Sequence, residues 1–562
     1  MNYKAVSKFL LIAVIAVLIA AIGAVVYLAR ITGPTFETTT PPTLVSSTTP
    51  TPITTPTIPS TTTKSVVVYA SLSEMVTADP STEFSNSILW LCLVYEPLLW
   101  YDPLQDKLIP ALAESWEASE DGMIWTFHLR KGVVFHDGTP FTAEAVKSSI
   151  ERTINLGQGA AFIWDPIDRI EVVDDYTVSF ILKYPAPMER IVASSYAAWI
   201  FSPKTPNTPE WFNEGNDAGS GPYKLVKWDP ENEVILEKFE DWWGWKLTSY
   251  EMASPNAPDV FVVKIVKDAV TQERLVISGD VSIAQYVPIE DVEKLKENPN
   301  LKVVIKPSFQ NLLLFINTKK SPLDNVLVRK AIAHAIPYED IVKVARSGLA
   351  HVASGPIPTG MWGHSDDFRY EYNLDEARRL LSEAGYPNGL ERTLTLTYTA
   401  GDIYEKRTAE LIATSLKKIG INIDIRPMSW EEQWALAQSG WENPEGAQDL
   451  FIMYWWPTYI TPFDFLYNMY HSESKAFNLA YYENPEFEKL IEEAVYYEGI
   501  DEEKALSLYY EAQRIAHEDV PIIPLWDMVD VRVGRAEIGN LDKAINPAYP
   551  TVIFAQVLSV EK

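Results

Sequence analysis

One cysteine, Cys92, stands in 562 residues, which excludes an internal disulfide framework and any cysteine-based zinc site. The chain has no G-x-S-x-G elbow, no phosphate-cradling glycine loop and no H-E-x-x-H pair, so the common marks of hydrolases, nucleotide-binding enzymes and zinc peptidases are missing. Basic residues are few as well. Lys and Arg number 47 against 76 Asp and Glu, a net charge of -29, and such a surface disfavours nucleic acid as a partner. Histidines number seven; His351 and His364, flanking the GPIP segment, read as polar loop residues rather than a chelate. No catalytic residue, metal or other cofactor is expected.

What is present begins with Lys4 and Lys8, followed by an apolar run from Phe9 to Leu28. That is roughly the 20 residues a spanning helix needs, and the positive charge before it predicts that the rest of the chain lies outside the membrane. Small residues around Ala20 to Ala24 offer a secretory cleavage site as the competing fate, and Lys4 to Ser7 resembles archaeal prepilin-like signals. Residues 1–32 are thus read as a signal or membrane anchor. Residues 33–64 are almost wholly Thr, Pro and Ser, too polar to offset ordering entropy, and are expected to be a disordered stalk. At about 3.1 Å per residue it would reach on the order of 90 Å. The expected location is the extracellular face of the cell membrane, tethered by the N-terminal helix or released by cleavage.

The remaining length is too great for one core. Its organising stretch is Asp449 to Asn468, DLFIMYWWPTYITPFDFLYN, in which the apolar run Leu450 to Trp455 predicts a strand buried on both faces. Pro457 ends it, leaving Trp455, Trp456 and Tyr459 near the carboxyl end of a strand, where open α/β sheets hold ligands. Ser65 to Ala70 reads as the first buried strand, with Ser71 and Glu74 at or beyond its end, and Ser81 to Leu99 as a helix or helix pair. In Leu112 to Arg152, Trp125, Phe127 and Leu129 alternate as one face of a strand, Lys131-Gly132 and His136 to Pro140 supply turns, and Thr142 is placed to cap a helix.

This last stretch resembles a signature of the family 5 extracellular solute-binding proteins, the dipeptide, oligopeptide, nickel and oligosaccharide receptors of ABC importers. Further blocks resemble the family in its order: SGPYKLVKWDPENEVILEKFEDWWG from Ser220, SGDVSIA from Ser278, SPLDNVLVRKAIAHAI with GPIP, and EAQRIAHEDVPIIPL from Glu511. The resemblance implies an α/β, two-lobed periplasmic-binding-protein type II-like fold with an additional domain. Lobe one would comprise 65–99, 219–310 and 521–562, the additional domain 100–218 and lobe two 311–520, with hinges near Ser308 and Pro521.

The function implied is a monomeric receptor that captures a small solute by lobe closure and delivers it to an ABC permease and its ATPase. Matched to the family's blocks, Trp430, Trp455, Gln285, Tyr286 and Trp526 are candidate ligand contacts. Peptide-binding relatives place an aspartate for the ligand's ammonium where this chain has Thr458. An oligosaccharide is therefore preferred, with Trp455, Trp456, Tyr459 and Trp430 stacking on sugar rings and Gln285, Asn311 and Asp464 bonding hydroxyls. A peptide ligand is the alternative, since Asp464 lies close enough in sequence to replace the missing aspartate. A stalked adhesion or envelope protein and an enzyme with an unrecognised site are the readings outside this class.

Overall fold

The computed structural model describes residues 64–560 apart from 73, 207, 248 and 550. The signal or anchor expected at 1–32 and all but the last residue of the expected stalk lie outside the described residues. Among the described residues no helix is long and apolar enough to cross a membrane.

The apolar runs become one mixed sheet of eleven strands. Across it the order is Ile423–Met428, Leu394–Thr399, Leu450–Trp455, Leu301–Ile316, Ile522–Arg535, Ile283–Ala284, Val66–Ser71, Val260–Ile265, Glu233–Lys238 and Tyr223–Asp229, with Ala350–Val352 alongside Ile522–Arg535. Leu450 to Met453 are buried throughout, as a run without polar alternation requires when helices cover both faces. Helices start where short polar side chains offer caps: Asn373, Asp402, Asn484 and Asp501 each accept hydrogen bonds from the first-turn N–H groups of the helices that follow.

Two long antiparallel strands, Leu301–Ile316 and Ile522–Arg535, run the depth of the sheet. Their register holds from Leu301 opposite Arg535 to Pro307 opposite Val529, breaks, and resumes with Asn311 opposite Asp527. On one side of this break lie the strands that pair with Val66–Ser71, and on the other those that pair with Leu450–Trp455.

Separate from the main sheet, Leu99–Asp102 pairs with Lys107–Pro110, and four antiparallel strands run in the order Ala113–Ala118, Ile124–Leu129, Thr177–Leu182, Ile167–Asp174. Trp125, Phe127 and Leu129 face inward there while their neighbours face out, the period-two pattern of a half-buried strand. Within Ser81–Leu99, only Ile88–Val94 is helical. Upstream of it the backbone N–H groups of Ser85 and Ser87 go to the Glu83 carboxylate and that of Ser81 to Asp79, local bonds that compete with helix formation. Thr142 occupies the extended position before the helix Ala143–Leu156, but its side chain makes no capping bond.

The loop at Gly219 passes so close to Val94 that an added Cβ would sit 1.9 Å from the Val94 carbonyl oxygen. Backbone does not yield as a flexible side chain does. Gly219→Ala is expected to lose most of its soluble folded yield, measured by circular dichroism of the recovered fraction; wild-type yield and melting temperature would refute this close packing.

Candidate ligand-binding site

A cavity of about 320 Å³ opens where the two sides of the main sheet meet the register break. Gln285, Tyr286 and Val287 form one wall, directly after the short strand Ile283–Ala284. This segment is held from behind: Gln285 Oε1 accepts from the N–H of Leu72 at 2.6 Å, and Gln272 Oε1 from that of Tyr286 at 3.0 Å. The opposite wall is Arg346, Asp402, Tyr404, Tyr454 and Trp456, while Gln310 and Met528 come from the two long strands. Tyr196 and Asn86 enter from the third side.

Asp402 and Tyr404 reach the cavity because the strand Leu394–Thr399 ends in a turn that starts the helix Ile403–Leu416. Asp402 Oδ1 caps that helix, accepting from the N–H groups of Tyr404 and Glu405, each at 2.8 Å. Burial raises the Asp402 pKa, against the pull of those N–H groups and of the Arg346 charge. Burial, with Asp402 beside it, pushes neighbouring Glu405 up to about 8. Among the described lining residues Arg346 is the one cation and Asp402 the one acid, and the others divide evenly among aromatic, aliphatic and neutral polar side chains. Such a wall takes a ligand with an apolar body and few polar ends.

Of the residues singled out from sequence, Gln285, Tyr286 and Trp456 line this cavity. Trp455 points to the other face of its strand, where it packs edge-on against Phe477 at 5.2 Å. The reason is the pleat: alternate residues of Leu450–Trp455 share a face, and continuing that alternation puts Tyr454 and Trp456 together and Trp455 opposite. The same parity separates Gln310, in the cavity wall, from buried Asn311, whose Nδ2 donates to the Pro356 carbonyl. Trp526 lies one layer beneath, fully buried and edge-on to Tyr454 at 5.6 Å.

Tyr459 and Asp464 are buried outside this wall; burial pushes the Asp464 carboxyl up to about 7, and its Oδ1 accepts from Asn468 Nδ2 at 3.4 Å. Trp430 is exposed and packs at a tilt against Trp434, ring centres 5.1 Å apart, rather than lining the cavity. Ser71 is buried in the first strand, and Glu74 forms an exposed ion pair with Lys267. Exposed pairs contribute little, so Glu74→Ala is expected to shift the melting temperature by less than about 1 °C; a larger drop would mean that this pair organises the loop before the cavity.

Arg346, Asp402, Tyr404 and Tyr454 were not among the residues expected from sequence. Alternation along the strand was the available signal for Tyr454, and the capping position before a helix for Asp402. No group of three or more His, Cys, Asp or Glu side chains among the described residues is arranged to hold a metal. His364 bonds the Ile357 carbonyl and Asp366, and His136 lies between Asp217 and the Gly221 carbonyl, both scaffold contacts.

The profile of the bacterial extracellular solute-binding proteins, family 5, matches residues 107–477. The chain belongs to this family. Family 5 relatives include the probable D,D-dipeptide-binding periplasmic protein of Escherichia coli, 30% identical over 82% of this chain and 88% of its own length. Heme-binding protein A of Haemophilus influenzae is 28% identical over 77% of this chain and 81% of its own. Among solved structures, the ABC transporter-associated periplasmic binding protein DppA of Helicobacter pylori, in complex with the peptide STSA, superposes with a TM-score of 0.73 at 27% identity, covering 89% of this chain and 99% of that one. This family 5 protein is accordingly a substrate-binding receptor of an ABC importer, with the mixed α/β fold of its relatives.

Proposed function

We propose that this receptor takes up a short peptide in the cavity at the register break and delivers it to its permease after the two sides close around it. The carrying observation is that residues from both sides of the break wall a single cavity, Gln285 and Tyr286 on one and Asp402, Tyr404, Tyr454 and Trp456 on the other. A ligand there gains contacts in the closed arrangement that it lacks in an open one, which is the condition for ligand-driven closure. Bending of the two long strands near Pro307 to Asn311 and Asp527 to Val529 is the motion proposed.

Relatives named for dipeptide and glutathione favour a peptide over the oligosaccharide preferred from sequence. The absence of an aspartate at Thr458 does not count against a peptide, because the cavity carries its own acid in Asp402. The test is a thermal-shift and small-angle scattering screen of residues 65–562 against di- and tripeptide pools and against oligosaccharide pools. The expected result is a peptide pool that stabilises the protein, by about 2.7 kcal/mol at a hundredfold excess over Kd, and reduces the radius of gyration. Saturable binding with an unchanged radius would sink the closure mechanism, and stabilisation by sugars alone would sink the peptide.

A further inference from the structure

Among the described residues four arginines are buried, and the guanidinium groups of three of them find partners: Arg152 on Asp79, Arg329 on the carbonyls of Leu323 and Asp519, and Arg532 on Asp530 and the Gln285 carbonyl. Arg346 is the exception. The residue is only 5% exposed, and its guanidinium forms neither a hydrogen bond nor an ion pair among the described residues, whereas Arg152 and Arg532, whose Nε atoms are likewise unpartnered, place Nη atoms on a carboxylate. It is fixed in place rather than loose, because the guanidinium lies 4.4 Å from the Tyr404 ring centre and 5.0 Å from that of Trp526. Its backbone follows the helix Tyr338–Ala345 and turns at once through Ser347 and Gly348, both at positive φ, into the strand Ala350–Val352.

Among the described residues, the two acids near enough to feel Arg346, Glu290 and Asp402, form no ion pair with it. Glu290 is paired with Arg407, and Asp402 caps its helix. A guanidinium has five donors in a fixed fork, and one that is buried without a carboxylate leaves them unanswered by the protein. Here the fork borders the ligand cavity, where an incoming planar anion can accept two parallel hydrogen bonds.

Resting on the receptor reading above, we propose that Arg346 is the seat of a carboxylate on the transported ligand, held over the Tyr404 and Trp526 rings, so that the receptor selects anionic-ended solutes. The carboxylate is the C-terminus of a peptide or the acid group of a uronate-bearing sugar, and the same chemistry serves both. For peptides, C-terminal amidation removes the charge and leaves the rest of the ligand unchanged.

The experiment compares four pools by thermal shift and calorimetry on wild-type protein, Arg346→Met and Arg346→Lys: di- and tripeptides as free acids, the same peptides as C-terminal amides, neutral oligosaccharides and uronate-bearing oligosaccharides. Free acids are expected to bind at least tenfold more tightly than amides, with the difference lost in Arg346→Met and partly kept in Arg346→Lys. Acids and amides binding wild type equally would overturn the seat at Arg346 while leaving the peptide reading intact, and this comparison needs no variant to fold. Undiminished acid binding by Arg346→Met would overturn it equally. Uronate-bearing sugars binding through Arg346, with no peptide bound, would keep the carboxylate seat and remove the peptide. Neutral sugars as the only ligands would remove both.

Discussion

Arg152→Met is expected to destabilise the protein by about 3–5 kcal/mol, the usual cost of leaving one member of a buried ion pair without its partner. Arg152 Nη1 and Nη2 meet the two Asp79 oxygens at 2.7 and 2.6 Å, and both side chains are almost wholly removed from solvent. The guanidinium also lies 5.0 Å from the Phe212 ring centre, so three distant parts of the chain meet at one charge. Methionine fills the space but leaves the carboxylate buried and unmatched. Chemical denaturation checks the size of the loss, and Asp79→Asn combined with Arg152→Met should recover part of it. A single variant within about 1 kcal/mol of wild type would show that water reaches this pair.

The second large effect concerns pH: the receptor is expected to melt several degrees higher at pH 5 than at pH 8. Burial is the leading cause that lifts the carboxyls of Glu96, Glu189 and Asp464 to about 7, Glu405 and Glu498 to about 8, and Asp527 to about 6. Each of these acids holds its proton more tightly folded than unfolded. Between the ordinary value near 4.5 and the raised one, the unfolded chain therefore binds fewer protons, and stability falls as pH rises. The contribution is fully present below the unfolded value and is gone above about 8.

A tenfold difference in proton affinity is worth about 1.4 kcal/mol, and a unit of about 500 residues loses roughly 1 kcal/mol per degree near its melting point. Half-buried His517, whose pKa is lowered mainly by desolvation, works in the opposite direction and is outnumbered. Scanning calorimetry from pH 8 to pH 5 tests the slope. A melting temperature that stays level or drops over that range would contradict the protonated state of these buried acids, and Glu498→Gln should remove one part of the slope.

The strands were legible in the sequence because they are buried without interruption or alternate cleanly, as at Leu450 to Met453 and at Trp125, Phe127 and Leu129. The cavity was less so. Trp455 and Trp456 were read together as one surface although consecutive strand residues face opposite ways, and only the pairing of Asn311 with Trp455 shows which of the two points inward. Arg346, Asp402 and Tyr404 line the cavity because separate turns deliver them to one place, and no local pattern records that meeting. The acid in the cavity wall was hidden for a related reason: Asp402 stands 56 residues before Thr458, the position at which peptide-binding relatives place an aspartate.

The paired long strands also set an order for synthesis. Everything between Asn311 and Asp527 enters and leaves through neighbouring strands, so the two ends of this portion are register partners. It can close as soon as Ile522–Arg535 has emerged from the ribosome. The part containing Val66–Ser71 has been synthesised long before, yet its short strand Ile283–Ala284 finds its second neighbour only in that same late segment, at Val533 and Gly534. The earlier portion is therefore completed by a segment made about 250 residues after it, and until then it presents an unpaired strand edge that pairing with another nascent chain can occupy.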